Sequence, residues 1–174
     1  LLGRVNYVLN EKYIFTGSFR RDGSSKFVDG NKFANFASGA FAWRASEESF
    51  IKNLNVFSNL KFRLSFGQTG NQGIGSYLTL PMLGVANDPV GGGINSGYAE
   101  LVWRGPLNDE LKWETTDQYN AGIDFGFLNN RISVTVDYYY KKTNDLLQNV
   151  KIPNSTGFQN RWTNFGHVTN QGLE

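Results

Sequence analysis

An alternation of apolar and polar residues from Tyr119 to Tyr140 constrains the fold of this chain more than any other feature. Successive side chains of a β-strand point to opposite faces, so a period of two predicts strands with one apolar and one polar face. Asn129-Asn130 interrupts the pattern with two residues that tolerate positive φ, as a two-residue hairpin turn requires. The segment therefore predicts a long antiparallel hairpin. Its apolar face would consist of Tyr119, Ala121, Ile123, Phe125, Phe127, Ile132, Val134, Val136, Tyr138 and Tyr140.

Similar patterns predict further strands along the chain. Alternating apolar residues lead into a tight turn at Asn10-Glu11-Lys12 and out of it again. Other strands are expected at residues 35–45, 59–69 and 162–169, with one more beginning near Gly172. We therefore expect about seven to eight strands of roughly 8 to 14 residues, which is longer than strands of soluble sheets usually are.

The predicted connections alternate in length. Tight turns are expected at residues 10–12, 129–130 and 170–172, and long loops at 23–33, 70–112 and 143–161. Membrane barrels have this asymmetry, because one rim carries short turns and the other carries long loops. The segment 46–58 fits poorly, since it is longer than its neighbours on the tight-turn side. Ser46-Glu47-Glu48 predicts a capped helical turn there.

The composition excludes several classes of protein. Aromatic residues make up 15% of the chain, but they are finely interleaved with polar ones, and no run approaches the roughly 18 apolar residues of a membrane helix. Cysteine is absent, which excludes disulfides and thiolate metal sites. A net charge of +2 does not indicate a nucleic-acid partner. The first residues do not have the pattern of an export signal, which we expect to lie outside these 174 residues, and Leu1 to Arg4 should begin a strand.

The dimensions of the hairpin fit a bilayer. A strand tilted about 45° climbs roughly 2.4 Å per residue, so the stretch from Ile132 to Tyr140 covers roughly 20 Å of an apolar belt about 25 Å tall. An apolar face inside a soluble β-sandwich is the alternative interpretation. We predict that one set of residues faces lipid: Phe125, Phe127, Ile132, Val134, Val136, Tyr138 and Tyr140.

Several motifs, read in order, resemble the SusC/RagA family of TonB-linked outer-membrane proteins, and they cover nearly the whole chain. The most distinctive is the run from Leu60 to Ile74, LKFRLSFGQTGNQGI. The others are Phe19 to Phe27 (FRRDGSSKF), Trp43-Arg44 with Glu47-Glu48-Ser49-Phe50, Trp113-Glu114-Thr115-Thr116, Gly122 to Gly126 (GIDFG), Asp145-Leu146-Leu147 with Pro153 and Thr156-Gly157-Phe158, and the spaced set Asn164, Gly166, Val168, Asn170, Gly172 and Glu174.

The resemblance implies an all-β, antiparallel up-and-down transmembrane β-barrel of 22 strands around an N-terminal plug. It implies a bacterial outer-membrane transporter that imports glycans or peptides with energy from a TonB complex, beside a SusD-like surface lipoprotein. Residues 1–174 would then form a partial barrel domain, because about seven strands cannot close so large a barrel and open sheet edges cannot face lipid.

No catalytic constellation is evident, and we expect neither enzymatic activity nor a cofactor or metal. His167 is the only histidine, so a two-histidine metal site cannot form, and its alternating neighbours predict a plain strand position. The glycine runs at 67–75 and 91–93 lack the Gly-Lys-Ser/Thr ending of a phosphate-binding loop.

The loop at residues 70–112 is the best candidate for substrate binding. It carries Tyr77, Tyr98, Trp103 and Arg104, with Asp88, Asn95 and Asn108. Aromatic faces flanked by amides and carboxylates can hold sugars or peptides, although packing against neighbouring loops or a partner is the better explanation for any one of these residues. On the strands, a polar set would line a lumen or contact a plug: Gln118, Asn120, Asp124, Arg131 and Asp137.

Two further interpretations remain open from the sequence. A complete barrel of eight strands with a structural or adhesive role needs about this many residues. A soluble carbohydrate-binding β-sandwich would place the aromatic residues in its core.

Overall fold

The structure is a computed structural model. It describes residues 1–54, 56–76, 78, 84–87, 97–100, 108–156 and 160–174, with the backbone alone described for 84–87, 97–100 and 154. The strands are β1 (Leu2–Leu9), β2 (Tyr13–Gly23), β3 (Phe33–Arg44), β4 (Phe57–Asn71), β5 (Gly84–Asn87), β6 (Gly97–Glu100), β7 (Glu114–Phe127), β8 (Ile132–Asn144), β9 (Leu147–Lys151), β10 (Asn160–Asn164) and β11 (His167–Leu173). A short helix α1 spans Ser49–Lys52, and 3-10 turns span Ala45–Glu47 and Asn154–Thr156.

Among the described residues, seven strands form one antiparallel sheet in the order β1-β2-β3-β4-β7-β8-β11. Two small hairpins, β5–β6 and β9–β10, lie within the long connections. The expected antiparallel, nearly all-β architecture is confirmed, and the sheet does not close on itself. No helix in the described part of the chain is long and apolar enough to cross a membrane.

The register gathers the aromatic residues of neighbouring strands on one face of the sheet. A single row crosses six strands at Tyr7, Phe15, Phe41, Leu64, Ala121 and Tyr138. Ring centroids of cross-strand neighbours are 5.1 Å apart for Phe15 and Phe41 and 5.0 Å apart for Phe66 and Tyr119. Such pairs contribute about 0.5–1.5 kcal/mol each beyond the area they bury. We call this surface the apolar face.

The tight turns follow the sequence prediction only in part. Asn10 and Glu11 have positive φ angles of 50° and 58°, as a short turn between β1 and β2 requires. The β7–β8 turn is confirmed at Asn129-Asn130, which both have positive φ, but it is longer than predicted, because Phe127 pairs with Ile132 and residues 128–131 lie between them. Three of these four residues have positive φ, and the Arg131 N–H donates to the Leu128 carbonyl oxygen. Arg131 therefore lies in the turn and not on the polar face of the sheet.

The predicted strand at residues 162–169 is two strands. Gly166, with a φ of +78°, redirects the chain between β10, which pairs with β9, and β11, which pairs with β8. The turn predicted at 170–172 is also wrong, since these residues continue β11 opposite β8. Gly172 signals close packing instead, because the Tyr139 ring occupies the space that a Cβ would need. The strand expected to begin near Gly172 is also not found there, because Gly172 lies inside β11.

The segment 46–58 does contain helical turns. The 3-10 turn Ala45–Glu47 is followed by α1, so the predicted helical turn is confirmed. The predicted capping is wrong, because neither helix start has a side-chain cap hydrogen bond.

The main buried cluster lies at the end of the sheet where the long connections emerge. It consists of Phe27, Phe36, Ile74, Leu111 and Trp113, with Leu147 and Trp162 of the β9–β10 hairpin packed against it. Each fully buried side chain of this size contributes about 1.5–3 kcal/mol. The cluster joins three connections into one rim, which we call the loop rim.

Candidate functional site

The face opposite the apolar face is polar and contains a charged row across three strands. The register aligns Arg63 on β4 with Gly122 on β7 and Asp137 on β8. Arg63 Nη2 lies 3.0 Å from both carboxylate oxygens of Asp137. Arg63 Nε and Nη2 each donate to one oxygen of Asp124 at 3.0 Å. One guanidinium therefore joins two carboxylates on neighbouring strands, in the fork geometry that makes such pairs strong.

Gly122 allows this arrangement. A Cβ at Gly122 would overlap Asp137 Oδ1 and would lie 2.9 Å from Arg63 Nη2. The guanidinium can thus cross β7 only where that strand has no side chain, which explains a glycine inside a regular strand. Thr135 adds a further hydrogen bond, from its hydroxyl to Asp124 Oδ1 at 3.1 Å.

Two depressions adjoin on this polar face. One has a volume of about 470 Å³ and lies over β7, β8 and β11 next to Arg63. The other has about 230 Å³ and lies over β4 and β7. They share Gln118 and Asn120, so they form one continuous trough across four strands. We call it the polar trough.

Asparagine side chains fix the loop rim. Asn164 Nδ2 donates to the carbonyl oxygens of Lys112 (2.9 Å) and Asp145 (2.8 Å), while its Oδ1 accepts from the Lys112 N–H. Asn108 is 4% exposed, and its Nδ2 donates to the Trp162 carbonyl oxygen at 2.8 Å. These amides replace backbone pairing where the loops have no strand partner. Asn108, one of the loop candidates, therefore has a packing role in the structure.

At the opposite end of the sheet, ionic contacts connect the β1–β2 turn to the segment that follows β3, and we call this end the tight-turn rim. Lys12 in the β1–β2 turn donates to Glu48 Oε2 at 2.8 Å, and the Tyr13 hydroxyl donates to Glu48 Oε1 at 2.9 Å. Both hydrogen bonds hold the pKa of Glu48 below its ordinary value of 4.5, and the one from Lys12 has the larger effect. The hydrogen bond to Glu48 raises the pKa of Lys12 above 10.5.

The structure describes some of the residues predicted from the sequence to be functional, while others lie outside the described part of the chain. Tyr77, Trp103 and Arg104, with Asp88 and Asn95, lie outside the described residues, and Tyr98 is described only as a backbone position of β6 opposite Ala86. The register places all seven residues predicted to face lipid on the apolar face. Gln118, Asn120, Asp124 and Asp137 lie on the polar face. That the apolar face meets lipid stays a prediction.

No metal centre emerges from the described residues, where no group of three or more His, Cys, Asp or Glu could hold an ion. His167 begins β11 opposite Asn144, as expected of a plain strand residue.

Sequence reasoning missed two residues that organise these surfaces. Arg63 and Asn164 appeared only as members of longer motifs. A charge on the polar side of β4 matched by two carboxylates on the later hairpin was the available signal for Arg63. This pairing of opposite charges can be recognised only when the β4–β7 register is known.

A sheet with one aromatic and one charged face and with alternating tight and long connections is the architecture of a membrane barrel wall. The chain belongs to the TonB-dependent receptor-like β-barrel family, whose match spans residues 1–174. It is 44% identical over 174 residues to TonB-dependent receptor SusC of Bacteroides thetaiotaomicron, covering 99% of this chain and 17% of that protein. It is 42% identical over 172 residues to TonB-dependent receptor P26 of Formosa agariphila, with 99% of this chain and 17% of that protein covered.

Solved structures agree with this assignment. The RagAB peptide transporter matches with a TM-score of 0.85 and 32% identity, over 99% of this chain and 18% of that one. The RagAB peptide importer in its open-open state matches equally well. The chain thus spans about a sixth of the length of the relatives it matches, and the expected family resemblance is confirmed.

Proposed function

We propose that these residues form a wall sector of a TonB-dependent outer-membrane transporter that imports bulky nutrients, either glycans or peptides. The observation that carries the proposal is the seven-stranded sheet with opposite apolar and polar faces, in a chain that matches this family over its whole length. Both outer strands, β1 and β11, have an unpaired edge within the described sheet. Unpaired backbone groups are too costly in hydrocarbon for such edges to face lipid, so we infer that further strands complete the barrel.

The proposal places the protein in the outer membrane, with the apolar face towards lipid. It includes a TonB complex as the energy source and a surface lipoprotein of the SusD kind as partner, which the SusC and RagAB relatives support. Because those relatives are named as receptors and as a peptide transporter, we propose transport and not catalysis. The comparisons do not favour a complete eight-stranded barrel or a soluble β-sandwich.

Uptake by intact cells tests the transport activity. Cells that produce the full-length protein with its partner should take up fluorescent neutral oligosaccharides or oligopeptides. Deletion of the gene, or a protonophore that removes the energy source, should abolish the uptake. Unchanged uptake of both substrate classes after gene deletion would show the proposal to be wrong.

Spin labels at two adjacent residues test the orientation of the wall. Val136 lies on the apolar face and Thr135 on the polar face, where its hydroxyl contacts Asp124. In vesicles, a nitroxide at Val136 should be relaxed by oxygen dissolved in the lipid, and one at Thr135 should not. Equal relaxation at both positions would contradict a lipid-facing apolar surface.

We also propose that the loop at 70–112 contacts substrate through Tyr77, Tyr98, Trp103 and Arg104. Their residue types support this role, since aromatic and guanidinium groups bind planar or hydroxyl-rich ligands. Trp103→Ala in the full-length protein should weaken substrate binding, with Phe50→Ala, which alters the opposite rim, as the control. If the two variants bound substrate equally well, Trp103 would not be part of the substrate site.

A further inference from the structure

Two glycines lie side by side inside the strands of the apolar face. The register places Gly17 on β2 opposite Gly39 on β3, without a bulge, and neither glycine has a positive φ. Glycine weakens the interior of a strand, so an irregular backbone or a close approach usually explains it. Beyond its chain neighbours, a Cβ at Gly17 would meet nothing within 4 Å, and one at Gly39 would meet only the Thr16 carbonyl oxygen at 3.9 Å. Packing among the described residues therefore explains neither glycine.

A groove on the apolar face includes both glycines. It has a volume of about 870 Å³ and extends from Val5 on β1 to Tyr138 on β8. These six adjacent strands span about 24 Å at the usual spacing of roughly 4.8 Å. None of the residues that line the groove is charged. An occupant can contact the backbone of β2 and β3 directly, because Gly17 and Gly39 have no side chain. We call this surface the apolar groove.

Further strands of the wall would leave the apolar groove uncovered. The glycine strands β2 and β3 are flanked by β1 and β4 in the described sheet. The proposed additional strands join the free edges of β1 and β11, so they extend the sheet and add no layer over this face. The groove runs between two rows of side chains about 7 Å apart along the strands, which is a width for one acyl chain. In the proposed orientation its surroundings are the hydrocarbon of the bilayer.

A cation lies on the same face, at the level of lipid head groups. Arg21 follows Gly17 by four residues on β2, so both positions face the same side of the sheet. The stretch from Tyr13 to Arg21 climbs roughly 20 Å of an apolar belt about 25 Å tall, which places Arg21 at the edge of the belt on the loop-rim side. Its guanidinium carbon lies 4.9 Å from the centroid of the Phe33 ring. In the part of the chain that the structure describes, no carboxylate pairs with this guanidinium.

We propose that the apolar groove binds an acyl chain of a phosphate-bearing lipid of the outer leaflet, and that Arg21 binds the phosphate of this lipid. The long loops of a membrane barrel face outward, so Arg21 on the loop-rim side meets the outer leaflet. Gly17 and Arg21 are about 10 Å apart along the bilayer normal, which the phosphate and the upper acyl chain of one lipid can span. Guanidinium groups bind phosphate through charge-assisted hydrogen bonds. This inference rests on the proposed orientation of the wall in the membrane.

Native mass spectrometry of the full-length protein in detergent tests the phosphate site. The probes are monophosphorylated lipid A, a glycolipid of bacterial outer leaflets, and the same lipid A after removal of its phosphate. The wild type should bind the phosphorylated form about tenfold more tightly, because hydrogen bonds to a charged group have an effect of roughly this size. Arg21→Ala should bind both forms equally. The matched control is Arg20→Ala, which should keep the preference, since Arg20 lies on the polar face and pairs with Asp22 at 2.9 Å.

Gly39→Leu tests the groove separately from the phosphate. The backbone accepts a side chain there, because a Cβ would make only an ordinary contact of 3.9 Å, but a leucine would fill part of the groove. Both forms of lipid A should bind about threefold more weakly, and the preference for phosphate should remain. Gly67→Leu is the control. Gly67 lies on the neighbouring strand β4 opposite Ser38, on the polar face, so its variant should bind both forms as the wild type does.

The possible failures are distinguishable. Equal binding of the two lipid A forms by the wild type, or an undiminished preference in Arg21→Ala, would overturn the proposal. Unchanged lipid A binding by Gly39→Leu would overturn the assignment of the groove, and loss of a dimer mass in its place would indicate a protein neighbour. If the nitroxide at Val136 were relaxed by oxygen dissolved in the lipid while these preferences were absent, the lipid site would be wrong and the proposed orientation would stand. A nitroxide at Val136 that is not relaxed would contradict the orientation itself.

Discussion

Gly122 shows how one missing side chain can determine a polar network. Because a Cβ there would overlap Asp137 Oδ1, Gly122→Ala should separate Arg63 from Asp137 and leave a carboxylate without its partner. We expect the full-length barrel to lose about 1–3 kcal/mol of stability. The loss would be measured as a lower unfolding midpoint in urea, followed by gel mobility.

Gly67→Ala is the matched control for this change. Gly67 also lies on the polar side of a strand, but a Cβ there would meet only Ser38 Cβ at an ordinary 3.9 Å. Its midpoint should stay within the error of the wild type. If Gly67→Ala and Gly122→Ala lowered the midpoint equally, the loss would come from glycine in strands generally and not from the Arg63 network.

Glu48 makes the tight-turn rim sensitive to acid. Its pKa is lowered by hydrogen bonds from Lys12 and Tyr13, so its contribution to stability is fully present above its ordinary pKa of 4.5. That contribution is lost as the pH falls below 4.5 through the lowered pKa. Backbone amides of the β1–β2 turn should therefore exchange hydrogen faster in this window, after correction for the intrinsic pH dependence of exchange. Glu48→Gln should remove the acid-dependent change, and an unaltered change in that variant would assign it to another group.

The residue scale also shows where prediction from sequence stops. The alternation around Asp124 and Asp137 correctly predicted their face, because parity along a strand needs only local information. The partner of both carboxylates, Arg63, lies 61 residues from Asp124 and 74 from Asp137, and the register across β4 and β7 is set by contacts that no local pattern reveals.

At the scale of elements, the β7–β8 hairpin offers the sharpest test of the two faces. Val136 is 36% exposed on the apolar face and lies about 10 Å along the bilayer normal from Ile132, close to the middle of the belt. Val136→Lys should hinder assembly of the full-length protein by about 2–4 kcal/mol. The measurement is the fraction of protein that becomes resistant to protease in vesicles.

Thr135→Lys is the control, because a lysine there would face Asp124 on the polar side. It should assemble as the wild type does. Equal defects in Val136→Lys and Thr135→Lys would contradict the opposite orientation of these neighbours.

Elements with strong alternation were predictable, and those shaped by a single backbone angle were not. The hairpin at β7 and β8 followed from its pattern, although three consecutive residues with positive φ lengthened its turn. The split between β10 and β11 depends on Gly166, whose positive φ is one of several conformations that glycine adopts at little cost. Asn164, just before this break, donates hydrogen bonds to the carbonyl oxygens of Lys112 and Asp145. These contacts join loops that are far apart in sequence.

At the scale of the whole molecule, the described residues place their buried cluster at the loop rim, and none of them forms a layer over either face of the sheet. Leu64 and Tyr138 on the apolar face are 55% and 47% exposed, while Phe27 and Leu111 at the rim are almost completely buried. A soluble sheet of this size would cover its apolar face with another layer. The distribution supports the proposed wall between lipid and an aqueous interior, whose stability would depend on lipid and on neighbouring strands.

The open edges lead to a prediction for the 174 residues by themselves. Within the described sheet, β1 and β11 each pair on one side only, and each unpaired backbone group in hydrocarbon costs several kcal/mol. We therefore expect the isolated 174-residue segment to fail to insert into vesicles as a protease-resistant monomer, whereas the full-length protein inserts. The comparison is made by refolding both proteins into the same vesicles, digesting them, and recording gel mobility before and after heating. A compact, heat-modifiable monomer of the segment would mean that β1 and β11 can pair with each other, and the proposed sector of a larger barrel would then be wrong.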